Sequence, residues 1–142
     1  MIVPRSLSCM APAKISLAPV KTVDAAYMTA PSIGYVRITS FGETTYAEFI
    51  AALSKLQTQG FEKLIIDLRG NPGGYMETAV QLVNEFLPKN ALIVYTQGRK
   101  SPRKEYRTDG RGAYQKIPLV VLVDETSASA SEIFAGAIQD ND

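Results

Sequence analysis

The stretch that decides the fold is PLVVLVDETSASASEIFAGAIQDND, Pro118 to Asp142. Leu119 to Val123 is an apolar, β-branched run of the kind that forms a buried strand, and a turn of small residues follows it. An amphipathic helical pattern then begins near Glu132. A serine at such a strand-to-helix turn has an exposed hydroxyl beside the positive end of a helix dipole, which suits a nucleophile. Because the sequence stops inside this helix, we expect it to be a fragment of a longer protein.

Two interpretations of Ser129 are open at this point. Ser129 and Glu132 have the S-x-x-E spacing of a capping box, in which the serine only caps the helix. Ser127 and Ser131 are equally suited to simple capping. The alternative is that one serine attacks a carbonyl carbon and that the next backbone N–H stabilises the resulting oxyanion.

The rest of the chain alternates strand-like and helical patterns. Residues 1–32 have no clear period and are predicted to be a connecting segment, with one extended stretch around Lys14 to Val20. The pattern then predicts strands at Ile33–Phe41, Lys63–Leu68, Ala91–Thr96 and Leu119–Val123, a helix from Thr44 or Thr45 to about Gly60, and a second helix that ends near Pro88. Such alternation is typical of an α/β fold with a mainly parallel sheet, and Lys63–Leu68 reads as a strand covered on both faces.

A second loop of interest is DLRGNPGG, Asp67 to Gly74, which also lies between a strand and a helix. Glycines allow backbone N–H groups to approach a ligand closely, although a tight turn alone would also require them. Because loops at the carboxyl ends of parallel strands meet at one edge of a sheet, we expect this loop and the serine turn to lie together.

Composition excludes several kinds of site. The chain has no histidine, so it cannot form a Ser-His-Asp triad or the usual zinc sites that contain histidine, and its single cysteine, Cys9, rules out an intrachain disulfide. Fifteen basic and fourteen acidic residues give no reason to expect a nucleic-acid partner. The basic segment Gly98–Gly112 is interpreted as a solvated hairpin or loop. No apolar run is long enough to span a bilayer, and the N-terminus lacks the apolar stretch of a signal peptide.

IGYVRITSF, LIIDLRGNPGG and PLVVLVDETSASASEIFAGAIQD, in this order, resemble the S41 peptidases, the carboxyl-terminal processing or tail-specific serine proteases. The resemblance covers residues 33–142 and implies an incomplete catalytic core. It implies a ClpP- and crotonase-like βα-spiral fold, a nucleophile at Ser129, and an oxyanion hole made of the backbone N–H groups of Ala130 and Gly73. The residues to which it gives supporting roles are Gly74, Glu132 and Asp140, with Asp67 and Arg69 shaping the glycine loop.

The resemblance also implies parts that this sequence lacks. The general base of the family is a lysine downstream of the serine helix, and none of the eight lysines here follows Ser129. Pro72 stands where the family often has glycine, which stiffens the loop. Residues 1–32 are too short for the PDZ domain that usually precedes the core, and the implied location of the longer protein is the bacterial periplasm or cell envelope.

These observations predict a serine endopeptidase with a Ser-Lys dyad that cleaves protein or peptide substrates without a metal or cofactor. The isolated chain is expected to be inactive and to be prone to self-association. The main alternative is a non-catalytic module on the same fold that binds peptides or apolar ligands. A crotonase-like acyl-CoA enzyme is a weaker alternative, against which the SASASE motif argues.

Overall fold

A computed structural model describes residues 20–141 of the protein. The elements follow the chain in the order β1 (Val23–Ala30), β2 (Ile33–Ile38), α1 (Thr45–Gln57), β3 (Lys63–Asp67), α2 (Met76–Asn84), β4 (Leu92–Gly98), β5 (Ser101–Arg107), β6 (Leu119–Leu122) and α3 (Ala130–Asp140). The predicted helices and the strands β2, β3, β4 and β6 are present within a few residues of their expected bounds. The mixed α/β class is therefore confirmed.

The main sheet has four strands in the order β1-β2-β3-β6. β3 pairs in parallel with both β2 and β6, whereas β1 is antiparallel to β2. The sheet is mostly parallel, as predicted. Its two central parallel pairings bring the carboxyl ends of β2, β3 and β6 to one edge, and the loops that follow β3 and β6 start there.

The strand β1 was not predicted, because Val23–Ala30 falls inside the segment interpreted as connecting. Its alanines carry little strand propensity, so pairing with β2 decides its conformation. The Glu48 carboxylate of α1 holds the start of this strand by accepting the backbone N–H groups of Thr22 (2.8 Å) and Val23 (2.9 Å). The extended stretch predicted around Lys14 to Val20 lies outside the described residues except for Val20.

The predicted strand β4 is present, but it does not belong to the mainly parallel sheet. β4 and β5 instead form a separate antiparallel pair that projects the basic segment into solvent. The predicted solvated hairpin is thus confirmed, and its first strand is β4 itself. The residues of β4 are apolar up to Val94 and exposed from Tyr95 onward, so only the first half of the strand packs against the core.

The hydrophobic core lies between the helices and one face of the main sheet. It contains the apolar sides of α1 and α2; its fully buried large side chains include Phe41, Phe49, Leu53, Leu56, Ile66, Leu82 and Phe134. The opposite face is open, and Tyr27 and Val120 on it are about half exposed (50% and 54%). β3 was expected to be covered on both faces; within residues 20–141 helices cover only the face of Leu64 and Ile66. No helix in this part of the chain combines the length and apolarity needed to cross a membrane.

Candidate active site

The serine turn joins the end of β6 to the start of α3. Ser129 is the residue before the helix and has φ 55° and ψ −113°, a positive φ that non-glycine residues rarely adopt. Its backbone N–H donates to the Glu132 carboxylate at 2.7 Å, which is the glutamate half of a capping box. The capping interpretation is therefore supported, because Glu132 caps the helix, and the backbone at positive φ presents the exposed Ser129 side chain at the helix N-terminus.

The glycine loop packs directly against this turn. Gly73 has φ +97°, and a Cβ atom added to it would lie 2.5 Å from the Ala128 carbonyl oxygen and 2.8 Å from the Ser129 Cβ. Gly74 has φ +142°, and a Cβ atom there would lie 2.2 Å from the Phe41 carbonyl oxygen. Only glycine fits at these two positions, one of which faces the serine and the other the end of β2. The expected meeting of the two loops is confirmed.

Asn71 connects the two loops and is completely buried. Its backbone carbonyl accepts the Ala128 N–H at 3.2 Å and the Ser131 hydroxyl at 3.0 Å, both from the serine turn. Its side-chain amide donates to the Ile38 carbonyl at 2.8 Å, and its Oδ1 accepts the Gly73 N–H at 2.8 Å. One residue thus fixes the glycine loop relative to the serine turn and to β2.

Asp124 makes a second connection between the loops. Its carboxylate accepts the Gly70 N–H at 3.0 Å, and it also accepts the Thr126 hydroxyl at 2.7 Å within the serine turn. These hydrogen bonds, the one from Thr126 first, lower the pKa of Asp124 to about 2. Ser127, whose hydroxyl donates to the Leu68 carbonyl at 2.8 Å, adds a third link.

Two backbone N–H groups around Ser129 lack an acceptor; Gly74 is exposed, whereas Ala130 is completely buried beneath the glycine loop. Within residues 20–141, the N–H groups of Ala130 and Gly74 are paired with no acceptor, whereas the Gly73 N–H is held by Asn71. A hydroxyl next to two such donors is what the addition of a nucleophile to a carbonyl group requires. The structure therefore brings Ser129, Ala130, Gly73, Gly74 and Glu132 together.

Asp67 and Arg69 form a polar cluster at the base of the glycine loop. Asp67 is 2% exposed and accepts the Arg69 guanidinium at 2.7 Å and the Tyr35 hydroxyl at 2.6 Å. The hydrogen bonds from Arg69 hold the pKa of Asp67 well below its usual range, and burial followed by the contact with Asp67 raises the pKa of Tyr35. Because the Arg69 N–H also bonds to Asp67 (3.0 Å), this cluster shapes the start of the loop.

Asp140 is not brought to the serine. It is the last residue of α3, eleven residues after Ser129, which places it about 16 Å farther along the helix axis. No role was predicted for Asn71 or Asp124, although both hold the two loops in position. The Asn-Pro-Gly-Gly order of the loop was a signal for Asn71, since asparagine side chains readily bond to the backbone two residues later.

Fold and site together define an α/β protein that presents a serine at a strand-to-helix turn facing a glycine loop. The profile of Peptidase family S41 matches residues 32–142, and the chain belongs to that family. It is 41% identical over 127 residues to a carboxyl-terminal-processing protease of Synechocystis, covering 89% of this chain and 29% of that protein. It is also 38% identical over 111 residues to the carboxy-terminal processing protease CtpB of Bacillus subtilis, covering 77% of this chain and 22% of that protein.

A solved structure gives the same relationship. The photosystem II D1 C-terminal processing protease matches with a TM-score of 0.70 and 35% identity, over 76% of this chain and 28% of that one. The chain therefore spans less than a third of the length of each of these relatives.

Proposed function

We propose that this chain carries the nucleophile and the oxyanion hole of a serine endopeptidase of the carboxyl-terminal processing type. The observation that carries the proposal is the contact between the glycine loop and the serine turn, in which Gly73 leaves no room for a side chain against Ser129. The protease names of the relatives described above support a peptidase rather than the binding-module alternative. The substrate would be a protein or peptide, as for those proteases.

In the proposed reaction the Ser129 Oγ attacks the carbonyl carbon of a peptide bond. The negative charge moves to the carbonyl oxygen, which the Ala130 N–H stabilises from the first turn of α3, where the helix dipole also favours it. The second donor was predicted to be Gly73. Since the Gly73 N–H is bonded to Asn71 Oδ1, we assign the second donor to the Gly74 N–H and give Gly73 the role of close packing against Ser129.

A base must accept the Ser129 proton and deliver it to the leaving amine, after which water hydrolyses the acyl-enzyme. We propose a lysine outside this chain, because no histidine is present and no lysine follows Ser129. A buried amine can act as a base at neutral pH, since desolvation lowers its pKa. Glu132 supports the reaction by holding the Ser129 backbone through its N–H, whereas Asp140 is too far along α3 to do so.

Further features of the longer protein are proposed with this activity. We propose that the core completes a ClpP- and crotonase-like βα-spiral and that residues 1–32, with β1 at their end, connect it to a preceding PDZ domain. We also propose, from membership of this family, that the longer protein is exported from the cytoplasm. The half-exposed apolar side chains on the open face of the main sheet, such as Val120, support self-association of the isolated chain.

The test is hydrolysis of an unstructured protein by a longer protein that contains this chain and a downstream lysine. Cleavage should disappear in Ser129→Ala and persist in Ser54→Ala, which changes an exposed serine on α1. The isolated 142-residue chain should show no Ser129-dependent cleavage. Equal cleavage by Ser129→Ala and the unmodified protein would contradict the assigned nucleophile, and Ser129-dependent cleavage by the isolated chain would contradict the assigned base.

A further inference from the structure

One side of α3 carries a stripe of residues that begins at the serine. Gly136 follows Ser129 by seven residues, nearly two full turns, so both lie on the same side of the helix about 10 Å apart along its axis. Glu132 and Asp140 fall on this stripe as well, one turn before and one turn after Gly136. A ligand that leaves Ser129 along this side of α3 therefore passes over Gly136 and reaches Asp140.

A groove follows this stripe between α3 and β4. Its volume is about 450 Å³, and its lining consists of Leu92, Ile93, Val94 and Tyr95 from β4 and of Glu132, Ile133, Gly136, Ala137 and Asp140 from α3. The lining exposes both polar and apolar surface, its charged side chains are the two carboxylates near its ends, and the Arg103 guanidinium lies over the Tyr95 ring at 4.0 Å. The Asn141 amide donates to the Leu92 carbonyl at 3.1 Å, which holds α3 and β4 together at the far end.

Gly136 forms an empty position in this groove. A Cβ atom added there would meet no other atom within 4 Å, so neither packing nor backbone conformation requires glycine. Glycine in the middle of a helix weakens the helix relative to alanine. The sequence therefore keeps the groove open at a position where a side chain would strengthen the helix.

We propose that this groove binds the substrate segment beyond the scissile bond, with an apolar side chain over Gly136 and a basic side chain at Asp140. The proposal rests on the proposed function, since it names the substrate class of that site. An extended peptide advances about 3.3 Å per residue. The distances along α3 thus place the apolar residue about three positions from the scissile bond and the basic residue about two positions farther on.

The charges of the groove favour this occupant over a purely apolar one. Glu132 is already bonded to the Ser129 backbone, so the exposed carboxylate of Asp140 is the group left to pair with a ligand cation. A substrate with an apolar residue followed by lysine or arginine would place the apolar side chain against the apolar residues of the lining and the cation beside the Asp140 carboxylate. An acidic residue at the same place would meet the Asp140 carboxylate and be repelled.

The experiment measures binding by fluorescence anisotropy in the Ser129→Ala form of the 142-residue chain, so that the probe is not cleaved. The probe is a fluorescein-labelled Gly/Ser nonapeptide that contains one leucine and, two residues later, one lysine. Matched probes replace the leucine by serine or the lysine by glutamate. We expect the leucine–lysine peptide to bind at least about tenfold more tightly than the serine–lysine peptide, the effect of burying one leucine side chain.

Gly136→Leu should fill the groove and weaken this binding about tenfold or more, while its melting temperature stays equal or rises because the added side chain meets open space. Gln81→Leu, which adds the same side chain on the exposed side of α2, should leave binding unchanged. Asp140→Lys should reverse the preference so that the glutamate peptide binds better than the lysine peptide. This reversal tests the groove independently of how well Gly136→Leu folds.

Equal binding of all three peptides, or the same affinities in Asp140→Lys and the parent chain, would overturn the groove proposal whatever the hydrolysis assay shows. Peptide discrimination in the groove without Ser129-dependent hydrolysis in the longer protein would support the groove and overturn the proposed peptidase activity. The two proposals therefore fail separately.

Discussion

The loops around Ser129 and the β4–β5 hairpin are both rich in polar contacts, but they differ in burial. In the loops, Asn71 is completely buried and bonds to β2, to the start of α3 and to Gly73 within its own loop. In the hairpin, Glu105 bonds to Arg103 and Arg107 at 2.8 Å each, and the arginine side chains are 46% and 40% exposed. A buried hydrogen bond is costly to break because no water replaces the lost partner, whereas exposed ion pairs contribute little.

This contrast separates residues that position the site from charged residues that are exposed to solvent. The hairpin also carries Arg103 over the Tyr95 ring at 4.0 Å, a contact that solvent again weakens. Changes in the loops should therefore affect stability strongly, and changes in the hairpin should affect it little. Four predictions test this difference.

The largest effect is expected from glycine substitutions. Gly73→Ala should lower the free energy of unfolding by about 3–5 kcal/mol, because it adds backbone strain at φ +97° to contacts below 3 Å with the serine turn. Gly98→Ala in the hairpin meets only ordinary contacts with Ser101 and should change it little. Urea denaturation of both variants measures the difference, and equal losses would show that the loops are not the tightly packed region.

The next effect concerns Asn71. Asn71→Ala leaves the Gly73 N–H and the Ile38 carbonyl without partners in a buried place, and should cost about 2–4 kcal/mol in urea denaturation. Asn84→Ala removes the same side chain where its bonds to Asp109 are exposed, and should cost less than about 1 kcal/mol. A cost for Asn71→Ala no greater than that for Asn84→Ala would refute its role as the central link.

The third prediction uses pH. The folded pKa of Asp124 is about 2, below the ordinary value near 3.9 of an unfolded aspartate, so its carboxylate stabilises the fold above about pH 4 and loses this effect as pH falls toward 2. Asp124→Asn should therefore be less stable than the parent at pH 6, and the gap should narrow by pH 2.5. Chemical denaturation at several pH values measures the gap. A gap that is independent of pH would mean that the charge of Asp124 does not contribute.

The smallest effect is expected for Glu105→Gln in the hairpin. Its hydrogen bonds from Arg107 and Arg103 lower the pKa of Glu105, so any contribution has the same sign as that of Asp124 and is lost in acid. Because all three side chains are solvated, we expect no measurable change in the midpoint of unfolding at pH 6 in 0.15 M salt. A loss as large as that of Asp124→Asn would remove the distinction between the two regions.

The sequence predicted the parts of the fold that carry local signals. The β6–turn–α3 unit and the glycine loop combine apolar runs with small residues and glycine, and these patterns have few alternative structures. β1 was not predicted because its start is held by Glu48, which lies far along the sequence. The pairing of β4 was not predicted because it depends on hydrogen bonds to β5. Local patterns carry no information about such partners.

The candidate site shows the same division. Ser129, Ala130, Gly73 and Glu132 were placed together correctly from their motifs, because each motif lies at a strand end in a parallel sheet. Which N–H groups lack an acceptor could not be predicted, since it depends on the Asn71 side chain turning back toward Gly73. Asp140 was grouped with the site by motif, and the uninterrupted helix from Ala130 to Asp140 places it far from the serine.

The positive φ of Ser129 has an evolutionary consequence. At φ 55° a glycine would be less strained, so folding alone favours Ser129→Gly over the native residue. Mutational drift in a lineage released from selection for the serine hydroxyl should then lead this position toward glycine, with a gain rather than a loss of stability. Under the proposed function, the retained serine reflects selection for its hydroxyl, and replacement by glycine in a descendant would mark the end of that selection.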